Sequence, residues 1–215
     1  MRIRNSPHIV AIRHTPDEYC EIGTERFLLI TRDSEEIDET PLDWINDVGI
    51  RRLVPLPGGI YDYPQLQKLV RAHNNKTGFL FWIAEKHDED RQLGFVQLQV
   101  NPIHMIASIT VCLGDRDWWG KGVVGEARGA VLDFAFRKLA CEKVVATCQE
   151  GDAGALWSFH HEGWEHEATL RRHHRIGTER VDMLHFAIFR DEWMRRIDEW
   201  VASKDADEGP EDLLQ

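Results

Sequence analysis

The segment Trp118-Trp119-Gly120-Lys121-Gly122-Val123-Val124-Gly125-Glu126-Ala127 carries the clearest chemical signal in the chain. Three glycines fall between Gly120 and Gly125, where an apolar run gives way to an amphipathic helical pattern. Glycine allows backbone conformations that other residues resist, and the first turn of a helix leaves N–H groups without intrahelical partners. Such a turn is a receptor for an anion, above all a phosphate. The same composition also serves plain turn chemistry, so the assignment depends on what surrounds it.

Other reactive residue types lack the spacing that their chemistry needs. The pairs His160-His161 and His173-His174, with His166, suggest a metal site, but adjacent histidines diverge on a helix and point to opposite faces of a strand. No metal is expected. Cys20, Cys112, Cys141 and Cys148 show no ligand or redox spacing and read as reduced thiols. A nucleophilic triad is disfavoured because there is no Gly-x-Ser-x-Gly and no reactive-cysteine context. Trp118, Trp157 and Trp164 read as core or pocket wall.

Composition narrows the class further. The 215 residues, 42% hydrophobic, suit one globular domain with a full core. The net charge of -11 argues against nucleic acid, whose phosphates are held by excess Lys and Arg, and fits a basic substrate. Apolar runs such as Phe79–Ala84 are too short to span a bilayer, and the start lacks a signal-peptide core. The expectation is a cytoplasmic protein with no membrane partner.

The elements that must position the turn are legible from periodicity. Strand-like runs lie at Arg26–Thr31, Phe79–Glu85, Leu93–Val100, Met105–Leu113, Lys143–Cys148 and Met183–Phe189. Helical patterns lie at Pro41–Asp47, Pro64–Asn74 and Val123–Leu139, and Lys86–Arg91 reads as a hairpin connection. Antiparallel strands come first; strand, Gly-rich turn, helix and strand then form a βαβ-like unit, which needs parallel neighbours and sets the turn at a strand's carboxyl end. The fold class is α/β, an α+β mixed sheet with one ligand crevice.

Taken together these residues resemble the GNAT N-acetyltransferase superfamily, in its ribosomal-protein N-terminal acetyltransferase-like branch. The resemblance runs from Thr24 to Trp193. Thr24-Glu25-Arg26-Phe27 and Trp44-Ile45-Asn46-Asp47 are similar to that branch's opening strand and helix, and Leu93-Gly94-Phe95 to its Ile-Gly strand. Trp119-Gly120-Lys121-Gly122 with Glu126-Ala127 resembles its acetyl-CoA loop. Gly163-Trp164, Glu167, Arg171 and Asp182 through Trp193 resemble its closing elements.

The resemblance implies a GNAT-like fold, a largely antiparallel twisted sheet whose fourth and fifth strands run parallel and splay apart. It implies residues 1–22 as an N-terminal extension, a transferase domain at 23–200 and an acidic tail at 201–215; residues 1–20 and the tail after Lys204 are expected to be dispensable for cofactor binding, and His8–Arg13 reads as a strand whose pairing the sequence leaves open. It implies acetyl-CoA as co-substrate, without a metal. The cofactor would be held by Val111, Cys112 and Leu113 along the pantetheine arm, by Trp119, Gly120, Lys121, Gly122, Val123, Val124 and Gly125 at the pyrophosphate, and by Asp152 and Phe159. The partner implied is an amine-bearing substrate, a peptide N-terminus or a small molecule, with a homodimer allowed.

Departures from the family pattern fall at the chemistry. Val124 stands where a small residue is usual, with Gly125 next to it, so a turn shifted by one residue would give Gly125 the close approach. Ala155 and Phe159 replace the Ser and Tyr that protonate the leaving thiolate, making Ser158 the substitute hydroxyl. Ser108 replaces a common acidic base, so the base passes to Glu150, Asp182, His104 or a water relay. The function implied is direct transfer of acetyl from acetyl-CoA to a primary amine; the alternative is a catalytically weak or inactive acyl-CoA-binding module.

Overall fold

The computed structural model describes residues 7–54 and 59–207. Nine strands form one sheet: β1 (Ala11–Thr15), β2 (Tyr19–Gly23), β3 (Phe27–Ile30), β4 (Gly78–Glu85), β5 (Asp88–Asn101), β6 (Ile106–Leu113), β7 (Lys143–Gln149), β8 (Glu165–Ile176) and β9 (Glu179–Phe189). Their spatial order is β1-β2-β3-β4-β5-β6-β7-β9-β8. The helices are α1 (Thr40–Ile45), α2 (Val48–Leu53), α3 (Tyr63–Arg71), α4 (Val123–Arg137), α5 (Ala153–Glu162) and α6 (Arg190–Asp207).

Every neighbouring pair is antiparallel except β6 and β7, which run parallel only from Ile106–Ser108 against Lys143–Val145. Beyond those residues the two strands part. This is the expected parallel pair, but it is the sixth and seventh strand rather than the fourth and fifth; β4 and β5 are an antiparallel hairpin. The count moves by two because β1 and β2 precede the strand at Phe27–Ile30, β1 pairing with β2 and β2 with that strand.

Strand β4 reads Gly-Phe-Leu-Phe-Trp-Ile-Ala-Glu, a nearly unbroken apolar run, because both faces of the sheet are covered there. Phe79, Phe81 and Ile83 bury on the face shared with α4, while Leu80 and Trp82 bury beneath α1, α2 and α3 with Trp44, Ile45 and Leu66. Helix α4 is buried all round, with every residue from Ala127 to Phe136 shielded from solvent. A helix of that kind lacks a polar stripe and belongs inside a domain.

The N-terminal residues belong to this core. Ile9, Ile12, Cys20 and Ile22 join the cluster that packs around α4, so the hairpin β1–β2 is a built-in edge of the sheet rather than an appendage. At the other end α6 runs to Asp207; residues 208–215 of the expected tail lie outside the described residues, as do residues 1–6 of the extension. Three stretches carry no periodic signal. The six-residue α2 is short, β8 is a charged edge strand with most residues exposed, and Asp88–Arg91 extends β5 as exposed strand instead of forming a connection. Each lacks the one-sided apolar pattern that burial imposes.

Close strand crossing leaves no room for a side chain at Gly94 in β5. A Cβ there would lie 2.1 Å from the Cys112 carbonyl oxygen, a backbone atom that cannot swing aside. Gly94→Ala is therefore expected to cost about 1–3 kcal/mol of overpacking, lowering the thermal midpoint by roughly 2–10 °C in a melting curve. An unchanged midpoint would show that β5 and β6 sit farther apart than described.

Candidate active site

The glycine-rich turn is built as an anion receptor. Gly120 (φ 73°) and Gly122 (φ 77°) both occupy the left-handed region, and Gly122 caps the N-terminus of α4 without a side-chain bond. The N–H groups of the first turn are thereby left for a ligand. The helix begins at Val123, so Val124 has ordinary helical backbone and no shift of the turn is needed. Gly125 sits inside the first turn, where a Cβ would meet only Glu162 Oε1, at 3.7 Å.

A carboxylate one turn into the helix fixes this turn in space. Glu126 Oε1 accepts from Thr24 Oγ1 at 2.7 Å and from the Arg26 backbone N–H at 2.9 Å, and Oε2 accepts from Arg26 Nε at 2.7 Å. Arg26 Nη1 also donates to the Lys121 carbonyl at 3.0 Å, inside the turn itself. Burial alone would raise the Glu126 carboxyl, but the Thr24 hydroxyl, the Arg26 N–H and the guanidinium outweigh it and hold it below its ordinary value of 4.5.

Beside the turn lies a cavity of about 750 Å³. It opens where β6 and β7 diverge, between Ile109–Val111 on one strand and Ala146–Cys148 on the other. One wall is the start of α4 and the face of α5; across the sheet, Ile50, Leu53 and Val54 in and after α2 form an apolar end. The opening thus passes through the sheet. Along it the facing edges of β6 and β7 have no ladder partner, so their amide groups are free to bind a linear, amide-containing ligand.

Between α4 and α5 sits a half-buried ionic network. Arg128 Nη1 donates to Glu162 Oε2 at 2.9 Å and to Ser158 Oγ at 3.1 Å; Ser158 Oγ donates to Glu162 Oε1 at 2.7 Å, and Trp164 Nε1 donates to Glu162 Oε2 at 3.1 Å. The Arg128 guanidinium also lies 4.6 Å from the centre of the Phe159 ring. Asp152 caps α5 by accepting from the Ala155 N–H at 3.0 Å.

Most residues expected at the cofactor converge on this cavity: Val111, Leu113, Trp119, Gly120, Gly122, Val123, Val124, Gly125, Asp152 and Phe159 line it, and so does Ser158. Two do not. The Cys112 side chain is buried on the opposite sheet face against α1 and α2, and Lys121 lies outside with its ammonium 5.2 Å from the centre of the Trp118 ring. Glu150 and Asp182 sit together just past the end of β7, where the Glu150 N–H donates to the Asp182 carbonyl at 3.3 Å, and neither lines the cavity. The Asp182 carboxylate accepts from the Arg172 N–H at 2.7 Å, steadying an irregular stretch of β8. Sequence reasoning missed Arg128, Glu162 and the α2 wall. A lone arginine in the otherwise apolar Ala127–Val131 stretch was the available signal for Arg128.

Among the described residues no group of three or more His, Cys, Asp and Glu side chains is placed to hold a metal ion, and no helix is long and apolar enough to cross a membrane. His173 and His174 stack on each other, 5.3 Å apart, on the edge strand β8. Cys148 lines the cavity, but burial pushes its thiol up to about 11, with Asp152 adding to the effect. It stays protonated and unreactive at neutral pH.

A mixed sheet splits between two parallel strands, and a glycine-capped helix N-terminus at the split sets an anion receptor beside a slot lined by free amide groups. Residues 26–159 match the acetyltransferase (GNAT) domain, and the chain belongs to that family of acetyl-CoA-dependent N-acetyltransferases. Solved structures agree in fold. A GNAT-family acetyltransferase from Bacillus anthracis superposes with a TM-score of 0.67 at 18% identity, covering 80% of this chain and 99% of its own. Spermidine N-acetyltransferase from Vibrio cholerae, in complex with CoA and spermine, gives 0.64 at 18% identity, covering 74% and 95%. A putative acetyltransferase from T. thermophilus gives 0.65 at 16% identity, covering 83% and 95%.

Two outcomes test this geometry. Gly122→Val forces a branched residue to φ 77° beside the anion site, and it should weaken acetyl-CoA binding ten-fold or more, about 1.4 kcal/mol, by calorimetry on a folded variant. Unchanged affinity would move the cofactor elsewhere. The Glu126 tether has a folded-state pKa below its ordinary 4.5, so its stabilisation is present above that value and lost as pH falls through the lowered one. The melting-temperature gap between the native protein and Glu126→Gln should therefore be constant at neutral pH and shrink only below about pH 4.5. A gap that closes near pH 7 would assign the difference to another group.

Proposed function

We propose that the protein transfers the acetyl group of acetyl-CoA directly to a primary amine, in the manner of the ribosomal-protein N-terminal acetyltransferase branch. The observation that carries this reading is the cavity passing through the sheet. One mouth meets the free N–H groups of the Gly120–Gly125 turn, and the other meets the apolar wall of Ile50, Leu53 and Val54. An acetyl-CoA entering by the first mouth presents its thioester between β6 and β7 to an amine entering by the second.

The apolar wall favours an acceptor whose amine adjoins an apolar group, as at a protein N-terminus with a hydrophobic side chain. Small-molecule amines of that shape fit equally. A polyamine such as the spermine bound to the Vibrio cholerae enzyme carries further ammonium groups that need carboxylates. The two carboxylates lining this cavity are already engaged, Asp152 as the cap of α5 and Glu162 with Arg128, Ser158 and Trp164.

In the reaction the amine nitrogen attacks the thioester carbonyl carbon, the C–N bond forms, the C–S bond breaks, and the amine loses a proton. We assign proton removal to Glu150 or Asp182 acting through water, since both lie outside the cavity wall. We assign protonation of the departing thiolate to Ser158, which lines the cavity; its one proton is donated to Glu162 in the resting protein, so the hydroxyl must turn from Glu162 toward the sulfur, and the proton taken from the amine then restores it. Cys148 takes no part, because its raised pKa leaves it a thiol.

Following CoA release with a panel of peptide and small-molecule amines tests this reading. Turnover should favour N-terminal amines beside apolar side chains over polyamines, and the rate should climb with pH as free amine accumulates. Glu150→Ala or Asp182→Ala should lower the rate at neutral pH and recover much of it in alkaline buffer, whereas Cys148→Ser should leave the rate within about two-fold. Ping-pong kinetics or an acetylated enzyme residue would overturn direct transfer. Binding without turnover across the panel would point instead to an inactive acyl-CoA-binding module.

A further inference from the structure

Trp157 is the most exposed aromatic side chain on the wall of the cofactor cavity, with 64% of its surface in solvent. It lies on α5, one turn before His161, whose imidazole stacks on it with ring centres 3.8 Å apart and planes 29° from parallel. The His161 ring is itself held by a 3.1 Å bond from Nδ1 to the Trp157 carbonyl. One face of the indole is backed and fixed; the other is open. An indole on a cavity wall, with a large apolar area in solvent, offers a face on which a flat ring can stack.

The rest of the cavity indicates what would cover it. The splay between β6 and β7 takes the thioester arm, and the Gly120–Gly125 turn takes the phosphates. What remains of an acyl-CoA beyond its pyrophosphate is a 3′-phosphorylated ribose and a purine, and what remains of the wall is α5, where Asp152, Gly154, Trp157 and His161 lie. The two are neighbours, because Glu162, adjacent to His161, already reaches to 3.7 Å from where a Gly125 Cβ would sit. The other exposed tryptophan of the wall, Trp119, is committed. Its Nε1 donates to the Leu113 carbonyl at 3.1 Å, and the Arg116 guanidinium lies over its ring at 5.1 Å.

We infer that the Trp157–His161 pair is the platform on which the purine of the cofactor's nucleotide stacks, making Trp157 the residue that selects a nucleotide-bearing thioester over a truncated one. The inference rests on the acetyl-CoA reading above. On this reading Trp157 acts on binding alone.

The test compares acetyl-CoA with S-acetylpantetheine, which carries the same thioester and arm without the nucleotide, on the native protein and on Trp157→Ala. Removing a stacking ring typically weakens a base contact several-fold or more, so the variant should raise KM for acetyl-CoA about ten-fold with kcat unchanged. Its kcat/KM for S-acetylpantetheine should match the native value, and adenosine 3′,5′-bisphosphate should inhibit it more weakly than it inhibits the native protein. Trp157→Phe should recover part of the affinity. An equal loss with both donors, or no loss with either, overturns the inference while leaving the cofactor assignment intact. Failure of the native protein to bind acetyl-CoA at all overturns the cofactor assignment, and the inference with it.

Discussion

Everything about the site depends on a pairing that stops. Strands β6 and β7 share only three register positions before they diverge, although each continues for several residues and is fully paired on its far side, β6 with β5 and β7 with β9. An open edge inside a sheet ordinarily invites aggregation or collapse. Here α4 connects the two strands and its N-terminus stands at the split. The unpaired edges therefore become two walls of a slot whose floor is a helix dipole, and an anionic ligand with an amide-bearing arm satisfies both kinds of orphaned group at once.

Holding such a slot open requires that its parts be fixed from outside. The start of α4 is fixed by Glu126, which gathers the hydroxyl of Thr24 and the N–H and guanidinium of Arg26 from the turn between β2 and β3. Its far side is fixed by Arg128, which ties α4 to α5 through Glu162 and Ser158. Deeper in, Asp133 is fully buried and accepts from Trp193 Nε1 at 2.7 Å, joining α4 to α6. Three polar residues on one helix thus reach three separate parts of the chain, and the apolar residues between them fill the core. The polar ties set direction and the apolar packing supplies the bulk of the stability.

Much of this could be read in the sequence. The glycine turn, the α4 pattern and the apolar strands β4, β6 and β7 are strongly periodic or compositionally marked, and they lie within a residue or two of where periodicity put them. The resemblance of Glu126-Ala127 to a family motif pointed at a residue whose physical task, the tether to Thr24 and Arg26, emerges only when residues about a hundred positions apart are brought together. The same holds for Arg128 and Glu162. No local pattern reveals that two charges 34 positions apart share a wall. The residues proposed to move protons were the least legible, because Glu150 in an exposed turn and Asp182 within β9 are carboxylates whose meaning depends on where a substrate and its water lie. The place of the hairpin β1–β2 was not legible for a related reason. Position near a terminus suggests freedom, whereas burial of Ile9, Ile12, Cys20 and Ile22 decides membership of the core.

The order of the last three strands has a consequence for how the molecule is made. Strand β9 is the final strand in sequence, yet it lies between β7 and β8, so β8 touches the sheet only through it. During synthesis from the N-terminus, β6, α4, β7 and α5 all emerge while the outer edge of β7 is still bare. The long charged strand β8 follows with no neighbour to join. Only when Glu179–Phe189 has left the ribosome can it insert, close the edge of β7, recruit β8 and bring α6 against α4. The slot beside the glycine turn is thus completed from its outer side only when β9 joins the sheet, and a chain released before that point holds every residue of the turn without a firm wall beside it.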